Sequence, residues 1–225
     1  MSSDLEKMGL EGFVSSSSNV DNEIEVLRSK SLAREVVNNL GLFVTYMDED
    51  EFPSKELYHT SPVLVSLTHQ EADKLPGRME INMILQPTGA LGVQITVGEK
   101  EYRKQFDKLP AVFPTDEGTV AFFANNDTLS AVCPENITKE RHITAFINRP
   151  FSVLKEYVNS LSIAPTSKTT SVVVISLENT NTRRGRDYIN KLLEMYNINA
   201  IMTRMRWLRK LLNLLTNVLV LFLKN

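Results

Sequence analysis

From Leu91 to Val97 the chain alternates strictly. Leu91, Val93, Ile95 and Val97 are apolar, and Gly92, Gln94 and Thr96 stand between them. Successive side chains of a β-strand point to opposite faces, so this run buries one face and leaves the other to solvent. The chain must therefore hold a sheet with one apolar face against a core, the habit of antiparallel sheets. Val63, Val65 and Leu67 alternate in the same way with Leu64, Ser66 and Thr68. Glu80 to Leu85 reads as another strand, closed by the turn residues Pro87, Thr88 and Gly89. Leu42 to Tyr46, Tyr102 to Phe106, Thr119 to Phe123 and Ile143 to Ile147 are further strand candidates, and the largely apolar run Val172 to Leu177 reads as a central strand.

Helical spacing takes over elsewhere. Asn22 is a suitable N-cap with Glu25 three residues on, and Ile24, Leu27, Leu32, Val36 and Leu40 follow near one face up to Gly41. Pro150 suits a first helical position, and Phe151, Leu154, Val158 and Leu161 recur at spacings of three and four. A third helix is expected from about Thr182 to Tyr196, with Ile189, Leu192, Leu193 and Tyr196 on its apolar face. The expected fold is α+β: a mainly antiparallel sheet with about three helices, plus a leucine-rich C-terminal tail. Residues 1–21, with the serine run Ser15 to Ser18, read as a flexible lead-in. Residues 22–200 read as one domain in which a sheet joins residues 63–67 to 172–177.

Few chemistries survive a search for site motifs. The net charge of −2 gives no general nucleic-acid footprint. A single cysteine, Cys133, excludes an internal disulfide and a multi-cysteine metal site, and reads as packing or incidental surface rather than a nucleophile. His59, His69 and His142 show no metal-ligand spacing. Gly98-Glu99-Lys100 lacks the rest of a phosphate loop, and no GxSxG, HExxH, CxxC or calcium-loop pattern occurs. Asp48, Asp50 and Glu51 read as a solvated loop. No catalytic, cofactor-binding or metal-binding residue is assigned, and the chain is not expected to be an enzyme. Asn126-Asp127-Thr128 and Asn136-Ile137-Thr138 match the glycosylation pattern, which is short enough to arise by chance. The basic cluster Arg183, Arg184 and Arg186 reads either as a solvated first helical turn or as a contact for an anion or glycan phosphate, the former being favoured.

The last 25 residues differ in kind. Residues 201–225 contain Arg204, Arg206, Arg209, Lys210 and Lys224, eight leucines and no acid, leaving 20 basic against 27 acidic residues before them, a charge of −7. The start lacks the pattern of a signal peptide, and no apolar run reaches the roughly 18 residues of a membrane span. A basic, leucine-rich helix carrying Trp207 suits a membrane surface, the alternative function for this chain.

Three segments carry a resemblance: Asn22 to Tyr46 (NEIEVLRSKSLAREVVNNLGLFVTY), Glu56 to Val65 (ELYHTSPVLV) and Ile163 to Asn197 (IAPTSKTTSVVVISLENTNTRRGRDYINKLLEMYN). In this order they resemble the extracytoplasmic region of Wzz-type polysaccharide chain-length determinants. The variety most like them is the polysaccharide co-polymerase associated with a bacterial tyrosine autokinase, found in exopolysaccharide and capsule biosynthesis. The resemblance covers about residues 20–197 and implies an inner-membrane protein with this domain in the periplasm. It also implies homo-oligomeric rings that work with a polysaccharide polymerase or export machinery. Neither the family's membrane helices, its Walker motifs nor its tyrosine cluster is present, so no kinase role can be placed on any residue here. The family pattern stops at Ala200. One coding of Ile201 to Asn225, entered one nucleotide earlier, reads NNDKNEVAEKTAEFINERLGIISKE, an acidic helix-forming string that resembles the family's continuation. The expectation is a severed fragment whose residues 201–225 are out of frame.

Overall fold

The computed structural model describes residues 20–50, 52–125, 139–167 and 172–222, with side chains placed up to residue 214 of the last stretch. The expected α+β architecture is present, its strands pairing antiparallel throughout the described sheets. The chain divides into two compact units, where one domain was expected over residues 22–200. The larger holds residues 37–160 and 179–184, and the other holds residues 1–36, 161–178 and 185–225.

In the larger unit β1 (Val44–Asp48), β2 (Lys55–Glu56), β3 (Val63–Ser66), β4 (Met79–Leu85), β5 (Leu91–Val97), β6 (Lys100–Phe106), β7 (Ala111–Thr115), β8 (Gly118–Ala124) and β9 (Arg141–Ile147) form two sheets. One has the order β2-β1-β9-β4-β5-β6 and the other β3-β8-β7. β9 thus lies between β1 and β4, pairing Ile147 with both Val44 and Met79. The alternating run Leu91–Val97 is β5, with every odd residue buried. Its register sets Ile95 against Ile81 and Val93 against Met83, so the same face is apolar in both strands. Gly98 turns the β5–β6 hairpin at a φ of +60°, where a side chain would be strained. Phe106 meets Phe113 and Phe122 at 6.0 Å between ring centroids, joining the two sheets in one core.

The short helix α3 (His69–Lys74) begins with a capping box in which Thr68 and Glu71 exchange hydrogen bonds. Glu71 also accepts from the Thr119 N–H at 3.1 Å. The helix α4 (Pro150–Ser160) starts at the expected proline. Its buried face is Pro150, Val153, Leu154 and Tyr157, a rotation from the expected Phe151, Leu154, Val158 and Leu161. Phe151 is exposed, with the Lys155 ammonium 4.6 Å from its ring centre, and Leu161 has left the helix for a strand.

The second unit is built from helix and ribbon. The helix expected over 22–40 is two helices: α1, residues 20–27, and α2 (Lys30–Asn39), with a break at Arg28 and Ser29. Asn22 lies inside α1 and does not cap it. The break lets the Arg28 guanidinium donate to the Ile163 carbonyl, while the Ser29 hydroxyl accepts from the Leu32 N–H as α2 starts. α2 stops as expected before Gly41, whose φ is +60°. The strands β10 (Leu161–Pro165) and β11 (Val173–Leu177) form a two-stranded ribbon. The run expected as a central strand is therefore half of a hairpin, and no sheet joins residues 63–67 to 172–177. Its alternate residues Val172, Val174 and Ser176 face solvent, which a largely apolar string could not announce. The helix α5 (Thr182–Phe222) runs 41 residues instead of ending near Tyr196. At 1.5 Å per residue that is about 60 Å. Tyr188 and Leu192 are buried, the Tyr196 hydroxyl donates to Glu23, and Asn199 reaches Glu35 at 3.2 Å. The turn at Asn181 feeds the helix start, its side-chain oxygen accepting from the N–H groups of Arg183 and Arg184.

Candidate functional site

The residues singled out in sequence do not gather into one reacting centre. Arg184 is neither a solvated first-turn residue nor an anion contact. It is 7% exposed and fully engaged. Its Nε donates to the Tyr157 hydroxyl at 3.1 Å, its Nη1 to Thr45 Oγ1 at 3.0 Å and to Glu56 Oε1 at 2.6 Å, and its Nη2 to the Leu42 carbonyl. The ring of Tyr58 lies 5.8 Å from the guanidinium. Burial works against the charge of Arg184, but Tyr157 and Glu56 outweigh it and hold its pKa above the ordinary value. Burial also raises the Tyr157 pKa, so at neutral pH that partner is a phenol, and the ion pair is the one with Glu56 at 2.6 Å. A buried guanidinium survives only when its nitrogens find acceptors, and here Nε, Nη1 and Nη2 each do. Arg183 and Arg186, its sequence neighbours, are exposed.

The acidic group near residue 48 is also more than a solvated loop. Asp48 ends β1, is 2% exposed and pairs with Arg141 at 2.6 Å. Asp50 accepts from the His142 N–H at 2.9 Å and lies 2.9 Å from His142 Nδ1. Burial pushes the Asp50 carboxyl up, yet the hydrogen bonds from His142 and the charges of His142 and Arg141 bring its pKa below the usual value. This cluster ties the start of β9 to the end of β1. It needs Arg141 and His142, which lie more than 90 residues on in the chain, and no local pattern flags it. Glu51, Cys133, both glycosylation-like triplets and the serine run fall outside the described residues.

One open cleft of about 350 Å³ does bring together residues that the sequence kept apart. His59 and His69 line it, with Asn38, Phe43, Tyr46 and Tyr58. None of its lining residues is Asp, Glu, Lys or Arg. Tyr58 sits at a φ of +44°, unusual for a bulky residue. The turn around it is held by the Asn125 amide, which donates to the carbonyls of His59 and Ser61 at 2.9 Å each. Phe43 meets His69 edge to face at 5.9 Å. Two imidazoles are too few for a structural metal site, and among the described residues no group of three or more metal-ligating side chains occurs. A cleft of this kind, lined by aromatic, amide and imidazole groups, can seat a small uncharged group.

Tyr46 forms the floor of that cleft and links β1 to β3. Its hydroxyl accepts from the Val65 N–H at 2.8 Å and donates to the Val65 carbonyl at 3.3 Å. Burial pushes its pKa up to about 12, while the Val65 N–H pulls the other way. An unfolded tyrosine ionises near its ordinary value of 10.0. The folded state keeps the proton where the unfolded state loses it, so this contribution is whole below about pH 10 and declines as pH climbs towards 12. The slope is roughly 1.4 kcal/mol per pH unit. Tyr46→Phe should cost about 1–2 kcal/mol at pH 8 by stranding the Val65 groups. Between pH 10 and 12 its stability should then fall less steeply than that of the parent. Denaturant melts across that range check this, and parallel slopes would refute it.

The C-terminal part of α5 presents a different surface. Residues 201–214 are all exposed, among them Ile201, Met202, Met205, Leu208, Leu211, Leu212 and Leu214, with Trp207 at 71%. Arg204, Arg206, Arg209 and Lys210 are interspersed on the same helix. Among the described residues no helix is long and apolar enough to cross a membrane. Searches against protein-family models and curated proteins return no match to this chain.

Proposed function

We propose that the chain is an assembly and scaffolding module of the polysaccharide co-polymerase type. It acts as a homo-oligomer beside a polysaccharide polymerase or export machinery, on the periplasmic side of the inner membrane, and not as a catalyst. The observation that supports this best is the convergence of the three resembling segments on Arg184. Leu42 and Thr45 come from the first segment, Glu56 and Tyr58 from the second, and Arg184 itself from the third. Residues from all three segments thus share one structural contact in the larger unit, the expected pattern for a scaffold, whereas an enzyme family would converge on reacting groups.

The test has two parts. Residues 1–200 should sediment as homo-oligomers at tens of micromolar. Supplied in trans to a host that makes a chain-length-controlled polysaccharide, the module should shift the length distribution. A monomer that leaves the distribution unchanged would overturn the reading. A second reading, binding to an anionic membrane surface, draws on the exposed apolar and basic residues of 201–214. It predicts that the tail, and not the rest of the chain, carries the attachment.

A further inference from the structure

Beyond the scaffold reading, and independent of it, we infer an oxyanion-binding cleft at the start of α4, for a carboxylate or phosphate group. The cleft holds about 380 Å³ and is lined by Gly77, Arg78, Asn148, Arg149, Ser152 and Glu156, among others. Its two arginines are prepared for an anion in different ways. Arg149 is fixed by the backbone: its Nε donates to the Leu75 carbonyl at 2.5 Å and its Nη2 to the Pro76 carbonyl at 2.6 Å. Those bonds use one edge of the guanidinium and leave Nη1 for a further acceptor. Arg78 sits over the ring of Phe146, its guanidinium carbon 3.4 Å from the ring centre. Stacking orients the fork and leaves its in-plane N–H groups to be satisfied at the edge.

Neither arginine has a carboxylate within ion-pair distance among the described residues, whereas Arg103, Arg141 and Arg184 each do. Asn148 and Ser152 add neutral hydrogen-bonding groups to the same wall. Glu156 is the one acid lining the cleft. It sets a selectivity: a compact oxyanion seated on the two forks is favoured, and a large polyanion is repelled. Two guanidinium groups that are not ion-paired among the described residues, each held by a neighbouring group around one cleft, form charge-assisted bonds to an oxyanion at little ordering cost.

The test uses the full chain, with ¹⁵N spectra of the arginine Nε–H signals. Inorganic phosphate and glucuronate are titrated separately, against sodium chloride at matched ionic strength. Saturable shifts of the Arg78 and Arg149 signals with either oxyanion, absent with chloride, are expected. Response to phosphate alone would assign the site to phosphate groups, and response to both would extend it to sugar acids. Arg78→Gln should weaken binding about tenfold, the loss of one charge-assisted contact. Gly77→Leu provides a variant that spares both arginines. A Cβ there meets nothing within 4 Å, so the fold accommodates a side chain at this cleft-lining position. Shifts that never saturate, that chloride reproduces, or that persist unchanged in both variants would overturn the site.

Discussion

Replacing Arg184 with alanine should lower the stability of the unit that holds it by about 3–5 kcal/mol. The loss comes from what is left behind. Glu56 would remain as a largely buried carboxylate without its cation, and the Leu42 carbonyl, Thr45 hydroxyl and Tyr157 hydroxyl would each lose a donor. Thermal melting should show a fall of about 6–20 °C, since 1 kcal/mol moves a chain of this size by about 2–4 °C. Arg184→Lys should recover little of it, because one ammonium cannot reach four partners arranged around a planar fork. If alanine costs less than about 1 kcal/mol, Arg184 is not the fold's organising contact, and the support that its partners lend to the scaffold reading goes with it.

Deleting residues 201–225 should have the opposite signature: much higher solubility with an almost unchanged melting midpoint. Fully burying one leucine contributes roughly 1.5–3 kcal/mol, so a packed tail would reveal itself by a large loss. The described tail residues are exposed, and that contribution is absent from them. What deletion removes is a long apolar surface that favours self-association. Melting and light scattering of both forms check this. A fall of more than about 10 °C on deletion would mean that the tail belongs to the core. Flotation with anionic liposomes separates the two functional readings: membrane attachment lost with the tail supports the surface-binding one. The reading frame has its own check in the gene, where the frame one nucleotide earlier should carry the acidic helical continuation.

Elements governed by local pattern were legible in the sequence, and those governed by distant partners were not. Leu91–Val97 announces itself because its alternation is complete, and Pro150 and Gly41 mark helix ends through their own backbone restrictions. Val172–Leu177 misleads because an apolar run fits both a buried strand and a hairpin arm, and only its partner decides. α1 and α2 merge in sequence because the break at Arg28 is driven by the distant Ile163 carbonyl. β7 and β10 went unread: Ala111–Thr115 contains Pro114, and Leu161–Pro165 continues the periodicity of α4. For the sites, the basic cluster at residues 183–186 was visible, but its burial was not. Arg184 is taken inwards by Glu56 and Thr45, 128 and 139 residues away along the chain. The pair Arg78 and Arg149 could not be singled out at all, since neither lies in a motif.

The placing of β9 between β1 and β4 governs the order in which this chain can be made into a protein. Strands β4, β5 and β6 are consecutive hairpin neighbours and can associate as soon as they leave the ribosome. β1 cannot join them, because its place in the sheet is reached only through a strand that is synthesised about 100 residues later. Until Ile147 emerges, β1 and β4 both present bare edges with apolar faces, and the nascent chain is at its most vulnerable to wrong pairing. Insertion of one late strand then closes two ladders at once, so completion of this sheet should be a single abrupt event at the end of a slow search.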